Sequence, residues 1–468
     1  MRFALVLCVL SWGCDGEGVP AEPLPAADAS PDLVGDGGPS IPDAGTPGSD
    51  AQIVDGSSPA DGDPEGRAYY SPERTLSPIT ASTGRALREI VARADDLRAD
   101  RFSKVGASAT VSRSFLHCFD SVSAAAELDD AESTWPTLDF FQASTNSPFS
   151  RTSLSATVGW TASRAIGGEP SPLSEELESF LPRYAVVMYG TNDVGYRNLP
   201  WYAENLWNLI EQLTDRGVIP LLTTIMPRDD DAGAWDPLVR EHNAVVRALA
   251  ETYEIPLIDY HREMVQLPDH GLSRDQIHPS TYRLDGRSRA CDFSEDALEY
   301  GYNIRNLLTL RMLHATRSAL SADETTRGVA QAVRGSGSRD DPFLIEHFPF
   351  RDRRNTLFSE QRVLNRYSGC DAPQDESGPE YVYRIELESP QSLRFLVFDR
   401  GDVDIDLHLL DDSLTESGCL DRAHQSMTAR VPAGVSYLSL DTFVSSSGEE
   451  MAGEYLLVIL PTEDLSGS

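Results

Sequence analysis

Apolar positions follow two different rhythms along this chain. Between residues 67 and 334, short continuous apolar runs at 154–158, 184–189, 218–225 and 255–259 read as buried parallel strands. Segments of helical period lie among them. Residues 201–216 bring Leu206, Leu209, Ile210 and Leu213 to one face, and 238–253 do the same with Val245, Val246 and Leu249. A third such segment, 298–313, carries Ile304, Leu307, Leu308 and Leu310. Strand followed by helix in turn predicts a three-layer α/β/α unit with a parallel sheet covered on both sides. In such sheets chemistry collects at the carboxyl ends of the strands. From Asp340 onward the helical period is lost. Residues 381–387, 393–399, 405–410, 427–431, 435–440 and 454–460 alternate polar with apolar or aromatic side chains, separated by Gly and Pro. That pattern predicts an antiparallel β-sandwich.

The ends and joints have their own composition. Met1-Arg2-Phe3-Ala4-Leu5 opens a short run with one positive charge, too brief to span a bilayer and typical of an export signal over residues 1–14. Leu10-Ser11-Trp12-Gly13-Cys14 resembles a bacterial lipoprotein box, which implies lipidation of Cys14; an ordinary secretory signal is the competing reading, and both export the chain. Residues 15–66 contain twelve acidic residues, nine prolines and ten glycines, with no Lys, Arg or aromatic residue. Such a stretch buries too little apolar surface to offset its chain entropy and is expected to be a disordered, extended linker. Gly335-Ser336-Gly337-Ser338 is expected to be a second, flexible joint between units 67–334 and 339–468. Cys118 and Cys291 fall in the first unit and Cys370 and Cys419 in the second; in an exported chain this predicts one disulfide in each.

Charge removes several function classes. The 468 residues carry 39 basic and 74 acidic side chains, a net charge of −35, which repels nucleic acid and anionic lipid alike. Linker 15–66 contributes −12, the unit 67–334 about −10 and the sandwich −14, so the α/β unit is only modestly acidic. Lys104 is the only lysine, in Phe102-Ser103-Lys104-Val105-Gly106, which fits neither a Schiff-base site nor a P-loop.

Three strand ends carry residues of catalytic type. Gly106-Ala107-Ser108 follows 102–105, Gly190-Thr191-Asn192-Asp193 follows 186–189, and Asp275-Gln276-Ile277-His278 lies beyond 258–259. A serine needs an adjacent base to act as nucleophile, and a histidine can supply it. Asp275 precedes His278 by three positions, so a tight turn lets its carboxylate reach Nδ1 and leaves Nε2 facing the serine. The Ser108 N–H, a glycine N–H and the Asn192 amide are candidate donors to a tetrahedral oxyanion. Taken singly, each of these motifs is also an ordinary turn or helix cap.

Together they resemble the SGNH/GDSL hydrolases over residues 102–313. Gly106-Ala107-Ser108 is similar to the first block, and Gly159 in Val158-Gly159-Trp160-Thr161 to the second, with Gly167 and Gly168 as rivals. Gly190-Thr191-Asn192-Asp193 matches the third block and Asp275-Gln276-Ile277-His278 the fifth. The resemblance implies a flavodoxin-like sheet and a carboxylic ester hydrolase with nucleophile Ser108, base His278 and its partner Asp275. It also implies an oxyanion hole from Ser108, Gly159 and Asn192, with no cofactor. The family's first block is usually Gly-Asp-Ser; Ala107 stands where that Asp would be, which weakens the positioning of the nucleophile turn. No long apolar helical lid is visible, so the expected substrate is an ester on a polar carrier such as an acylated glycan. A lipid-directed esterase, and an inert surface binding protein on the same scaffold, are the alternatives.

Residues 402–407, 432–437 and 453–457 resemble the bacterial pre-peptidase C-terminal domain, appended to secreted enzymes. Asp402, Asp404 and Asp406 have oxygen ligands suited to calcium. Alternate strand residues share one face, however, and a solvated acidic stripe accounts for them with no metal.

Overall fold

The structure is a computed structural model describing residues 67–120, 136–321, 330–331, 333–372 and 374–465. The expected signal 1–14 with Cys14, and the linker 15–66, lie outside the described residues. Among the described residues no helix is long and apolar enough to cross a membrane.

Four parallel strands form the first sheet in the order β1 (Arg98–Gly106), β2 (Pro182–Met188), β3 (Ile219–Thr223) and β4 (Leu257–Ile258). Helix α1 (Ala81–Val91) precedes β1 and the single turn α2 (Ser108–Val111) follows it. Helix α3 (Leu199–Asp215) links β2 to β3, α4 (Asp236–Thr252) links β3 to β4, and α5 (Gly301–Ser321) closes the unit. The helical period was a sound guide: Leu206, Leu209, Ile210 and Leu213 of α3 are all buried, with Tyr202 and Trp207 beside them. Asn198 caps α3 by accepting the Trp201 N–H at 3.1 Å.

One expected strand does not form. Residues 154–158 make a single parallel bridge, Ala156 to Gly106, with the Gly106 N–H donating to Ser155 O and the Thr157 N–H to Gly106 O. Leu154 and Val158 are 46% and 65% exposed, so the run has no second apolar face to bury and stops at one rung. It nevertheless occupies the edge beside β1, so the flavodoxin-like 2-1-3-4-5 arrangement is retained with its second strand reduced to a bridge.

The C-terminal β-sandwich has two sheets. One runs β6 (Phe350–Asn355), β13 (Glu454–Pro461), β8 (Gln391–Phe398), β11 (Ser426–Val431), all antiparallel. The other runs β10 (Cys419–Ala423), β9 (Ile405–Leu410), β12 (Gly434–Thr442), β7 (Tyr381–Leu387), β5 (Phe343–Ile345), antiparallel except for β7 with β5. Phe395, Val397, Leu407, Leu409, Leu457 and Ile459 fill the space between the sheets.

The sandwich packs on α3 and α4. Leu396, Phe398, Leu456, Val458 and Leu460, on the other faces of β8 and β13, share one continuous core with the parallel-sheet unit. Arg351 pairs with Glu251 at 2.7 Å, both 2% exposed. Arg394 meets Glu241 at 3.0 Å, and Arg400 meets Glu211 while lying 4.2 Å over the Trp207 ring. Residues 335–338, expected to be a flexible joint, form a packed turn. Ser336 and Gly337 both donate to Asp341 O, and a Cβ on Gly337 would strike the Phe343 ring. Cys118–Cys291 and Cys370–Cys419 are disulfides with Cα separations of 5.7 and 5.4 Å, pairing as expected.

Candidate active site

β1 delivers the first element of the site. Gly106 has no room for a side chain, because a Cβ there would meet Met188 O and the Thr110 side chain. The chain then turns at Ala107 (φ −104°, ψ −151°) into α2, and Ser108 is its first residue. Ala107 is buried. Arg305 of α5, fully buried, holds this turn from below. Its guanidinium donates to Ala109 O at 2.8 Å and to Thr110 Oγ1 at 3.1 Å, and lies 3.7 Å over the Phe115 ring.

The second element is a turn beyond β4. Ser273 N–H donates to His278 O at 2.7 Å, and Gln276 sits in the left-handed region at φ 59°. Asp275 organises what lies between. Its Oδ1 accepts from Ser273 Oγ at 2.8 Å, Ile277 N–H at 3.1 Å and His278 N–H at 3.0 Å. Its Oδ2 lies 2.7 Å from His278 Nδ1. An ionised carboxylate can only accept, so Nδ1 carries the proton and Nε2 is left with its lone pair. That Nε2 is 2.8 Å from Ser108 Oγ. Burial alone would raise the Asp275 carboxyl, but the donors from His278, Ile277 and Ser273 outweigh it and hold the group down at about 2. The chain of contacts stands at the surface: the His278 and Asp275 side chains are 38% and 49% exposed.

The third element follows β2. Gly190 adopts φ 132°, where a side chain would also press on Tyr202 Oη and Ile225. Asn192 is half-buried and donates one amide hydrogen to Trp160 O at 2.8 Å, leaving the other available. Asp193 is buried and accepts the Ala162 N–H at 3.1 Å; burial raises its carboxyl to about 6, against that N–H and others. These two bonds tie the 159–162 segment to the third block, while the 155–157 bridge ties it to Gly106. Gly159 therefore lies in a loop fastened to both strand ends, exposed and at φ 78°.

Ser108, His278 and Asp275 are thus brought into one hydrogen-bonded line. Asn192 and Gly159 are joined through Trp160, next to Gly159 in the chain. Gly167 and Gly168 lie at and beyond the end of the short helix Ala162–Ile166. Sequence reading missed Arg305, whose signal was a charge flanked by Ile304 and Leu308 on a buried helix. It also missed Asp193 as the fastener of the glycine loop.

Residues 120–282 match the model of the GDSL-like Lipase/Acylhydrolase family, which bears out the resemblance of the middle segment. The matched span includes Gly159, Asn192, Asp275 and His278 and begins after Ser108. No curated protein matches the chain. Solved structures similar in part include the lipase/acylhydrolase from Enterococcus faecalis, 18% identical over 46% of this chain and 95% of that one, with TM-score 0.30. A GDSL-like lipase from Bacteroides thetaiotaomicron is 17% identical over 49% and 96%, TM-score 0.31. A two-domain esterase active on acetylated mannans is 12% identical over 80% and 95%, TM-score 0.29.

Proposed function

We propose that this chain is an exported serine hydrolase of the SGNH type that cleaves carboxylic esters, with O-acyl groups on carbohydrate as its substrate class. The observation that carries this reading is the line from Ser108 Oγ to His278 Nε2 at 2.8 Å and from His278 Nδ1 to Asp275 Oδ2 at 2.7 Å. Ser108 Oγ attacks the ester carbonyl while His278 Nε2 takes its proton. Asp275 holds the imidazole in the required tautomer and stabilises the imidazolium that forms. The tetrahedral oxygen receives the Ser108 N–H, the Gly159 N–H and the second amide hydrogen of Asn192. His278 then protonates the departing alcohol, leaving an acyl-Ser108 ester. Water, deprotonated by the same nitrogen, attacks that ester and releases the acid. The two disulfides support an oxidising compartment, hence export. The exposure of His278 and Asp275 suits an acyl group carried on a bulky polar polymer better than one with a long tail to bury.

The test is Ser108→Ala. It is expected to abolish hydrolysis of a short-chain aryl ester and capture by a fluorophosphonate, with the circular dichroism spectrum unchanged. Undiminished turnover in that variant overturns the reading. Release of acetate from an acetylated polysaccharide, with no fatty acid from phospholipid, is the expected substrate result. The reverse outcome makes the protein a lipid esterase, and a Ser108 inert to every donor and to fluorophosphonate makes it a binding protein.

A further inference from the structure

We propose that Glu376, Asp406 and His408 of the sandwich form a binding site for a divalent transition-metal cation of the zinc type, far from the ester chemistry in sequence and independent of it. Asp404, Asp406 and His408 are alternate residues at β9, so they share one face of the strand. The acidic stripe expected to be solvated therefore turns inward along its length. Asp402 is exposed, Asp404 half-buried, Asp406 5% exposed and His408 fully buried. Glu376, from the loop before β7, arrives over the same face and is fully buried too. One ligand atom from each of Glu376, Asp406 and His408 lies within 4.8 Å of the others. A tetrahedral zinc with bonds of about 2.1 Å holds its ligand atoms about 3.4 Å apart, within reach of small side-chain rotations.

The unmet hydrogen-bonding capacity points the same way. Both ring nitrogens of the fully buried His408 lack a hydrogen-bond partner among the described residues, and the Glu376 carboxyl has Asp406 as its side-chain hydrogen-bond partner. The shortest approach between them, His408 Nε2 to Glu376 Oε1, is 3.9 Å, too long for a hydrogen bond. The imidazole is oriented instead by the Tyr367 ring, stacked on it at 3.5 Å and 4°. Tyr367 in turn belongs to an apolar cluster with Leu364, Val382 and Leu410. Asp441, opposite Asp406 across β9 and β12, brings another buried carboxylate, but that one is answered by the Tyr367 hydroxyl and the Thr442 N–H. Arg422 is the nearby cation, and its Nη1 is held by Gln374 Oε1 at 2.6 Å. Glu376 and Asp406 are buried side by side with little to answer their charge beyond His424 at Asp406, and a cation bound by one atom from each and by one His408 nitrogen would offset that burial. An imidazole with two carboxylates is a nitrogen–oxygen donor set that suits zinc; calcium would need six to eight oxygens. His424, with Nδ1 3.0 Å from Asp404 Oδ1 and 3.2 Å from Asp406 Oδ1, stands at the exposed mouth of the site, where an ion would enter. Bound there, the cation would clamp residues 374–380 onto β9.

The experiment uses the full exported chain without a histidine tag, stripped by chelator and re-equilibrated with buffered zinc. One zinc per chain is expected to be retained at micromolar free zinc, falling about tenfold or more in Asp406→Asn and His408→Phe. Cobalt in place of zinc is expected to give visible d–d absorption that His408→Phe removes. Ester turnover, measured alongside, should persist in the stripped protein and in both variants, which also reports that they are folded. Equal zinc retention by the parent chain and His408→Phe overturns the proposal. So does loss of zinc in His424→Ala but not in His408→Phe, or binding of calcium without zinc. If the variants fail to fold, the parent alone decides: no d–d absorption at micromolar cobalt overturns the assignment.

Discussion

Asp275 uses its two oxygens differently. Oδ1 closes the turn by collecting two backbone N–H groups and a hydroxyl, while Oδ2 is reserved for His278. The consequence for pH has a definite sign. Its carboxyl is held down at about 2 in the folded protein, whereas an unfolded aspartate titrates at about 3.9. The unfolded chain therefore binds this proton first as pH falls, so the stability that Asp275 contributes is present above about pH 4 and is lost as pH drops through about 2. Because the side chain is half exposed, water screens part of it. Urea unfolding of Asp275→Asn is expected to show a shallower fall in stability between pH 4 and pH 2 than the parent chain; parallel slopes would show that the turn does not depend on the charge. On the proposed mechanism the same variant loses about 10⁴ in kcat, since an amide cannot hold the imidazole in its productive tautomer.

At the scale of the element, β13 carries the most information. Tyr455 to Leu460 is apolar at every position, and the strand is buried on both sides: Leu457 and Ile459 enter the sandwich, while Leu456, Val458 and Leu460 enter the joint with α3 and α4. The alternation expected over 454–460 does not hold here, and a strand with no polar rhythm has no solvent face, which is the sign of the joint that the expected alternation overlooked. β6 carries no such sign. Phe350-Arg351-Asp352-Arg353-Arg354-Asn355 looks like a solvated segment, yet Arg351 and Asp352 are buried because both find partners there. Arg351 reaches Glu251, and Asp352 accepts from Arg354 and Tyr383. A pairing such as Arg351 with Glu251, a hundred residues apart, leaves no local trace. The hydrogen-bonded line of Ser108, His278 and Asp275 was legible because Asp275 and His278 lie within one turn and Ser108 sits at a strand end. The failure at 154–158 has the opposite cause, an apolar run whose outer side chains meet only water. The Arg351–Glu251 pair gives a direct test. Arg351→Met strands a buried carboxylate and is expected to cost about 3–5 kcal/mol in urea unfolding, whereas adding Glu251→Leu should recover much of it. A single-variant loss below about 1 kcal/mol would mean the pair is not isolated from water.

For the whole molecule, the question is whether the sandwich is an appendage or part of the same cooperative body. Both halves are acidic, about −10 over 67–334 and −14 over 339–468, so their net charges oppose association. The contact overcomes this locally by pointing the sandwich's arginines at the helices' glutamates: Arg351 at Glu251, Arg394 at Glu241, Arg400 at Glu211. Behind those pairs lies an apolar core that runs without a break from the parallel sheet into β8 and β13. Neither side can unfold without exposing Leu396, Phe398, Leu456, Val458 and Leu460 on the other, which couples the two transitions. Calorimetry of the intact chain is therefore expected to give one endotherm whose calorimetric and van't Hoff enthalpies agree. Val458→Asp, which forces a charge into that joint, should split it into two. Two transitions in the parent chain would show instead that the sandwich melts on its own and that the shared core is a contact without coupling.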